Sequence, residues 1–236
     1  MLGPRVRLGL IFKRSVRGLK PVKLVANYRL TDAHIKKALN AAADIDARVA
    51  TALNLIGLPA ARKRAHGFDS LAKIVVGQQV STRAAEAITQ RLVESLNGQL
   101  EPEMLLSCDD ETLRAAGLSR QKISYLRSLA AAVLEGELPL LDLPKMSDDE
   151  VLQRITEIRG FGAWSAQMYL MFSLGRTDVW PSGDLAVRVG FGRLLCLVER
   201  PTAKETEELA LAFTPYRSAL ALLCWHYYSS VPQAEQ

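Results

Sequence analysis

Two short segments hold residues whose types and spacing suit chemistry. In Ile158-Arg159-Gly160-Phe161-Gly162-Ala163-Trp164-Ser165-Ala166, two glycines one residue apart separate two helical patterns. Gly-x-Gly permits a tight turn with positive φ and leaves backbone N–H groups open to an approaching anion. Those amides would open the next helix, so a phosphate there gains hydrogen bonds and the favourable end of the helix dipole without any Lys or Arg. Taken alone, this is also what an ordinary helix-to-helix turn looks like. Twenty residues after Trp164 comes Asp184, in Trp180-Pro181-Ser182-Gly183-Asp184-Leu185-Ala186-Val187-Arg188, a loop ending in that carboxylate at the N-cap of an apolar helix. Capping is the commonest task of an Asp in that place. It also holds the carboxylate in one orientation, which suits it to face a developing positive charge.

The elements that must position these groups read as helices almost throughout. From Thr31 onward the chain is rich in Ala, Leu, Glu, Lys and Arg, with few β-branched runs and no alternation between hairpin turns. Thr31-Asp32 can cap a helix carrying Ile35, Ala38, Leu39 and Ala42, and Gly57-Leu58-Pro59 closes the region it opens. Further helices are predicted over 69–78, 81–96, 102–107, 110–116, 120–135, 148–158, 163–174, 184–195, 202–213 and 215–228. An all-α fold of about ten helices follows.

Composition removes several classes of protein. Cys108, Cys196 and Cys224 are odd in number and widely spaced, so neither a disulfide framework nor a zinc site is expected. They read as reduced core residues of an intracellular protein. No apolar run approaches the length of a membrane span, and the stretch Leu8 to Phe12 is too short for a signal-peptide core. The net charge of +5 invites a nucleic-acid reading, but residues 1–31 hold eight of the 30 basic side chains and no acid. The rest of the chain sets 22 basic against 25 acidic side chains. Bulk charge therefore cannot hold DNA against the body, and contact must come from a local surface or from backbone groups. Residues 1–30, with Gly3, Pro4, Gly9, Gly18 and Pro21, read as a flexible basic arm, with a solvated tail or an upstream choice of start codon as the plainer alternatives and an organellar transit peptide as a further one, although Ser15 is its only serine.

Four ordered segments carry a family resemblance. They are Leu71-Ala72-Lys73-Ile74-Val75-Val76-Gly77-Gln78-Gln79-Val80-Ser81, then Gly117-Leu118-Ser119-Arg120-Gln121-Lys122, then the Gly-x-Gly turn with its later aspartate, then Pro215-Tyr216-Arg217-Ser218 with Trp225. On these, over about two thirds of the chain, the sequence resembles the helix-hairpin-helix (HhH-GPD) DNA glycosylase superfamily. Within it, the likeness is to the 3-methyladenine DNA glycosylase II, or alkylbase glycosylase, branch. The resemblance implies two helical lobes, one over 69–180 with the helix-hairpin-helix at about 148–174, the other over 31–68 with 181–236. The active site would lie in the cleft between them. The strand-rich N-terminal domain of some relatives is not expected.

The resemblance also assigns roles. Asp184 matches the catalytic aspartate, where a carboxylate stabilises oxocarbenium character on the sugar or positions water. Gly160, Phe161, Gly162, Ala163 and Ser165 match the DNA-binding hairpin. Bifunctional relatives carry a lysine nucleophile where this chain has Trp164, so a monofunctional hydrolase that leaves an abasic site is expected. Trp164 and Trp225 match aromatic positions that stack on a flipped, electron-poor base, and Met168, one turn after Trp164, lines the pocket or packs the core. Gln79 matches the side chain wedged into the gap left by the flipped base, and residues 117–122 resemble a second phosphate-facing turn. Arg159 stands where the family commonly has Pro, and Phe161 where a small aliphatic is usual.

The expected partner is double-stranded DNA containing alkylated purines such as 3-methyladenine and 7-methylguanine. A monomer in the cytoplasm or nucleoid, or in the nucleus of a eukaryote, is expected, with no membrane association. No cofactor or metal is expected and the iron–sulfur cluster of some relatives is excluded by the cysteine spacing, while a monovalent cation at the hairpin is left open. Two alternatives stand beside this reading. One is a non-catalytic damaged-DNA-binding protein of the same fold, and the other a glycosylase for oxidised or deaminated bases.

Overall fold

A computed structural model of the chain describes residues 30–231. Among these, every regular element is helical. In chain order they are α1 (Asp32–Ile45), α2 (Ala47–Ile56), α3 (Phe68–Gly77), α4 (Thr82–Ser95), α5 (Pro102–Ser107), α6 (Asp110–Ala115), α7 (Arg120–Leu134), α8 (Asp148–Thr156), α9 (Ala163–Phe172), α10 (Leu185–Leu194), α11 (Ala203–Ala210) and α12 (Arg217–Ser230). The N-terminal arm lies outside the described residues except for Leu30, which is buried.

Local chemistry accounts for the helix starts. Thr31, Ser81, Asp109, Ser119 and Asp184 each accept a hydrogen bond from a first-turn amide, and Ser147 with Glu150 and Thr202 with Glu205 form reciprocal capping boxes. The region that Thr31-Asp32 opens and Gly57 closes holds two helices, divided at Asp46. That residue ends α1 in an extended conformation and caps α2, its carboxylate taking the amide and the guanidinium of Arg48. The segment predicted as a helix over 202–213 likewise finishes as a 3-10 turn at Leu211–Phe213. Among the described residues, twelve α-helices thus stand where about ten were predicted.

Helices α3 to α9 pack among themselves, as do α1, α2, α10, α11 and α12, and one continuous apolar core joins them. Most of the chain's helices bury one stripe, but α9 is apolar nearly all round and buries Ser165, Ala166 and every residue from Met168 to Phe172. A helix of that kind belongs at the centre. The last helix, α12, is similarly enclosed over residues 218–224 and lies across α10. Their closest approach is at Gly190, where a Cβ would stand 2.1 Å from the carbonyl oxygen of Cys224. Only a residue without a side chain allows the two backbones to come this near.

Of the three cysteines, Cys224 is buried and Cys108 half-buried. The core reading fails for Cys196, which is exposed in a left-handed turn (φ 52°) just after α10. No helix among the described residues is long and apolar enough to cross a membrane.

Because Gly190 sets the α10–α12 crossing, Gly190→Ala should lower stability by about 3 kcal/mol or more, the range of severe overpacking. Thermal or denaturant unfolding measures this, and a change below about 1 kcal/mol would show that the crossing can relax.

Candidate active site

Asp184 ends a loop that is fastened at several points. Trp180 is buried edge-on against Phe191, with ring centroids 4.9 Å apart, and its carbonyl accepts a hydrogen bond of 3.0 Å from Gln167 Nε2 on α9. Upstream, the Arg217 guanidinium grips both carboxylate oxygens of Asp178 at 2.7 and 2.9 Å, and Ser218 Oγ accepts from the Val179 amide. The segment Pro215-Tyr216-Arg217-Ser218 therefore ties the start of α12 to the loop that presents the aspartate.

The carboxylate itself accepts three hydrogen bonds from three helices. The Val187 amide of α10 donates to Oδ1 at 3.0 Å, Trp225 Nε1 of α12 donates to the same oxygen at 3.1 Å, and Trp164 Nε1 of α9 donates to Oδ2 at 2.8 Å. Hydrogen bonds to an ionised acceptor are among the stronger ones, and here they fix both oxygens in direction. The two tryptophans that the sequence marked as stacking surfaces thus turn their N–H edges to the carboxylate, and both are partly buried against the core. Trp225 also lies beside Phe172, at 5.8 Å between centroids. Met168 is only 5% exposed and turns into the core. Trp180 is a core residue as well.

In the hairpin, Gly160 has φ 94°, and a Cβ there would fall 2.1 Å from the ring of Tyr125 on α7. Gly162 departs from expectation. Its φ is −100°, any residue could adopt that backbone, and a Cβ would meet nothing within 4 Å. Its value lies in openness rather than in φ. No side chain caps α9, so its first-turn amides at the exposed Gly162 and Ala163 end lack a side-chain acceptor. Phe161 is 5% exposed and anchors the turn in the core, and Ser165 is 2% exposed. Neither side chain is open to an incoming ligand, and the Phe161 amide already donates to the Ile158 carbonyl at 3.0 Å. Arg159 is exposed and forms no ion pair among the described residues.

One residue that the sequence did not single out joins this hairpin to the next element. Gln78 Nε2 donates to the Gly160 carbonyl at 2.9 Å and to Ser165 Oγ at 3.3 Å. The following residue, Gln79, is exposed with φ 56°, a conformation unfavourable for a residue with a Cβ. Gln78 thus bolts the turn that presents Gln79 to the hairpin. Lys122 supports the same turn by donating from Nζ to the Val76 carbonyl at 2.7 Å. That ammonium is committed to the end of α3, and the phosphate-facing reading of residues 117–122 loses it.

A model of the HhH-GPD superfamily of base excision DNA repair proteins matches residues 72–215. The chain belongs to this superfamily. Within the HhH-GPD proteins it is 37% identical over 161 residues to DNA-3-methyladenine glycosylase 1 of Schizosaccharomyces pombe, a match covering 67% of this chain and 71% of that protein. A solved 3-methyladenine DNA glycosylase of the same yeast, in complex with abasic DNA, aligns with a TM-score of 0.75 at 33% identity, covering 80% of this chain and 95% of that one. A DNA-3-methyladenine glycosidase from Bacillus halodurans aligns with a TM-score of 0.71 at 33% identity, covering 86% of this chain and 93% of the other. The HhH-GPD match spans both the hairpin and Asp184.

Two outcomes test the geometry. Trp164→Phe and Trp225→Phe keep a ring and lose the donor, so each should slow base release roughly 10-fold or more, as loss of a hydrogen bond to a charged group implies. Unchanged single-turnover rates would mean that only the ring faces matter. Gln78→Ala leaves a buried hydroxyl and a hairpin carbonyl without their donor, at a cost of about 1–3 kcal/mol in stability, read by denaturant unfolding.

Proposed function

We propose that this protein is a monofunctional DNA glycosylase that flips an alkylated purine out of duplex DNA and hydrolyses its N-glycosidic bond. The observation that carries the reading is the company of Asp184. Its hydrogen-bond partners are two indoles and an amide, none of which titrates in the working range of an enzyme. None of these partners is an acid that could protonate a leaving base.

That arrangement suits a base that needs no proton. A purine alkylated at N3 or N7 is already cationic, so when the C1′–N9 bond breaks the electron pair neutralises it and it leaves uncharged. Positive charge develops on the sugar, facing the Asp184 carboxylate. Water then bonds to C1′, its proton passes to Asp184 or solvent, and an abasic site remains. The faces of Trp164 and Trp225 favour a cationic ring over a neutral one. Oxidised or deaminated bases leave as poorer groups, and nothing bonded to Asp184 would assist them. The names of the relatives, 3-methyladenine glycosylases, agree with this preference.

The chemistry asks only for water and a carboxylate, so chelation should leave the rate unchanged. One flipped base needs one pocket, and a monomer suffices.

Purified protein incubated with methylated duplex DNA should release 3-methyladenine and 7-methylguanine, with a known glycosylase run in parallel as control. Asp184→Asn should reduce release by roughly 100-fold or more while retaining affinity for abasic DNA, the scale seen when a transition-state charge partner is removed. Absence of any released base from the wild-type protein would sink the enzymatic reading and favour a damage-binding module.

A further inference from the structure

The segment between α2 and α3, residues 57–67, contains Arg62-Lys63-Arg64 followed by His66. As residues all four are exposed, with the Arg64 guanidinium lying against Phe172 and the His66 ring bonded to Tyr169. Among the described residues none of the three cations lies within ion-pair distance of a carboxylate. Two acids lie nearby and both are engaged, Asp32 with the Ala61 amide at 3.0 Å and Asp69 with Lys73 at 2.7 Å. Charge runs are usually loose, solvated stretches, but this one is tied down along its length.

The ties lead to the active site. The Arg64 amide donates to the Phe172 carbonyl at 2.9 Å, at the end of α9. The Gly67 amide donates to the Tyr169 hydroxyl at 3.2 Å, and that hydroxyl meets His66 Nδ1 at 2.6 Å. Burial pushes the Tyr169 phenol up to about 12, so it keeps its proton and stays a neutral hydrogen-bond partner of the imidazole. The Arg64 guanidinium lies 5.7 Å from the centroid of Phe172, whose ring lies 5.8 Å from that of Trp225, which in turn donates to Asp184. Loss of solvent, then repulsion from Arg62, holds the Arg64 pKa below its usual value, and the attraction of Asp69 offsets this only in part. Like charges held together beside a ring, with no acid paired to them, form a site that an anion completes.

We propose that Arg62, Lys63 and Arg64 form a phosphate clamp on the rim of the base pocket, taking phosphodiester groups of the strand that carries the flipped nucleotide. This rests on the DNA glycosylase reading above. Arg64, lying against Phe172, takes the phosphate nearest the extruded sugar in the forked geometry of a guanidinium, and Arg62 and Lys63 take its neighbours. The clamp would supply a local positive surface on a body whose overall charge is acid-balanced, and would complement a hairpin that offers backbone amides.

The test measures the affinity of the full chain for a duplex containing a tetrahydrofuran abasic analogue, between 50 and 200 mM salt. With all three residues changed to Ala, the slope of log K against log salt should fall by about 2 to 3, at roughly 0.9 for each phosphate no longer neutralised, and binding should weaken roughly 10-fold or more. The double variant Arg62→Ala with Lys63→Ala, which leaves Arg64 packed on Phe172, should lower the slope by about 2 and keep the wild-type melting temperature. A wild-type slope and affinity in the folded double variant and triple variant would overturn the clamp. If the slopes change as stated while the wild-type protein releases no methylated base, the clamp stands and the enzymatic reading falls. Base release with unchanged slopes has the opposite meaning.

Discussion

The hydrogen bonds converging on Asp184 are the constraint around which the rest of the molecule is arranged. A carboxylate at a helix start needs only the amide of its own first turn. Here two indoles from other helices meet the same group, which is possible only if α9, α10 and α12 are held in one relative position. The glycine at position 190 permits the α10–α12 approach, the apolar α9 fills the centre, and Gln167, Arg217 and Ser218 fasten the intervening loop. A shift of about 1 Å in any of these would lengthen at least one bond to the carboxylate beyond useful range.

The same helix serves two ends of the reaction. The N-terminus of α9 is the open, uncapped end of the hairpin, and its first turn carries Trp164. In the proposed function, DNA backbone seated on those amides would be set at a constant distance from the carboxylate. Gln78 extends the frame to the turn that presents Gln79, and the strap at residues 61–67 closes it at the far end of α9 through Phe172 and Tyr169. Hairpin, indoles and carboxylate are all referenced to one buried helix, so on the proposed function placing the phosphate backbone would also place the sugar.

Charge and function are connected less directly. The acid–base balance beyond residue 31 leaves little general attraction for DNA, and on the proposed function the hairpin would answer this with backbone dipoles rather than ammonium groups. A site built of uncharged donors also leaves the negative charge of Asp184 unopposed by its hydrogen-bond partners, which suits a carboxylate that must face an emerging positive charge on the sugar.

Much of this was legible in the order of residues. Helix starts at Thr31, Ser81 and Asp184 follow from side chains that bond the backbone two or three residues on, which is local chemistry. Gly-x-Gly between two apolar periods announces a turn, and Trp164 in place of a lysine points to hydrolysis. The break at Asp46 was hidden because the competing partner, Arg48, acts through a side-chain conformation rather than a pattern. Gln78 was overshadowed by Gln79, since its role is a contact across 82 residues of chain. The edges of Trp164 and Trp225 were invisible for the same reason, because an indole on a helix has a periodicity but no stated direction. Sequence by itself determined which groups exist and which helix each begins or rides on. Only the tertiary structure decided where those groups point, since the packing of α9, α10 and α12 is a property of the whole core and not of any segment within it.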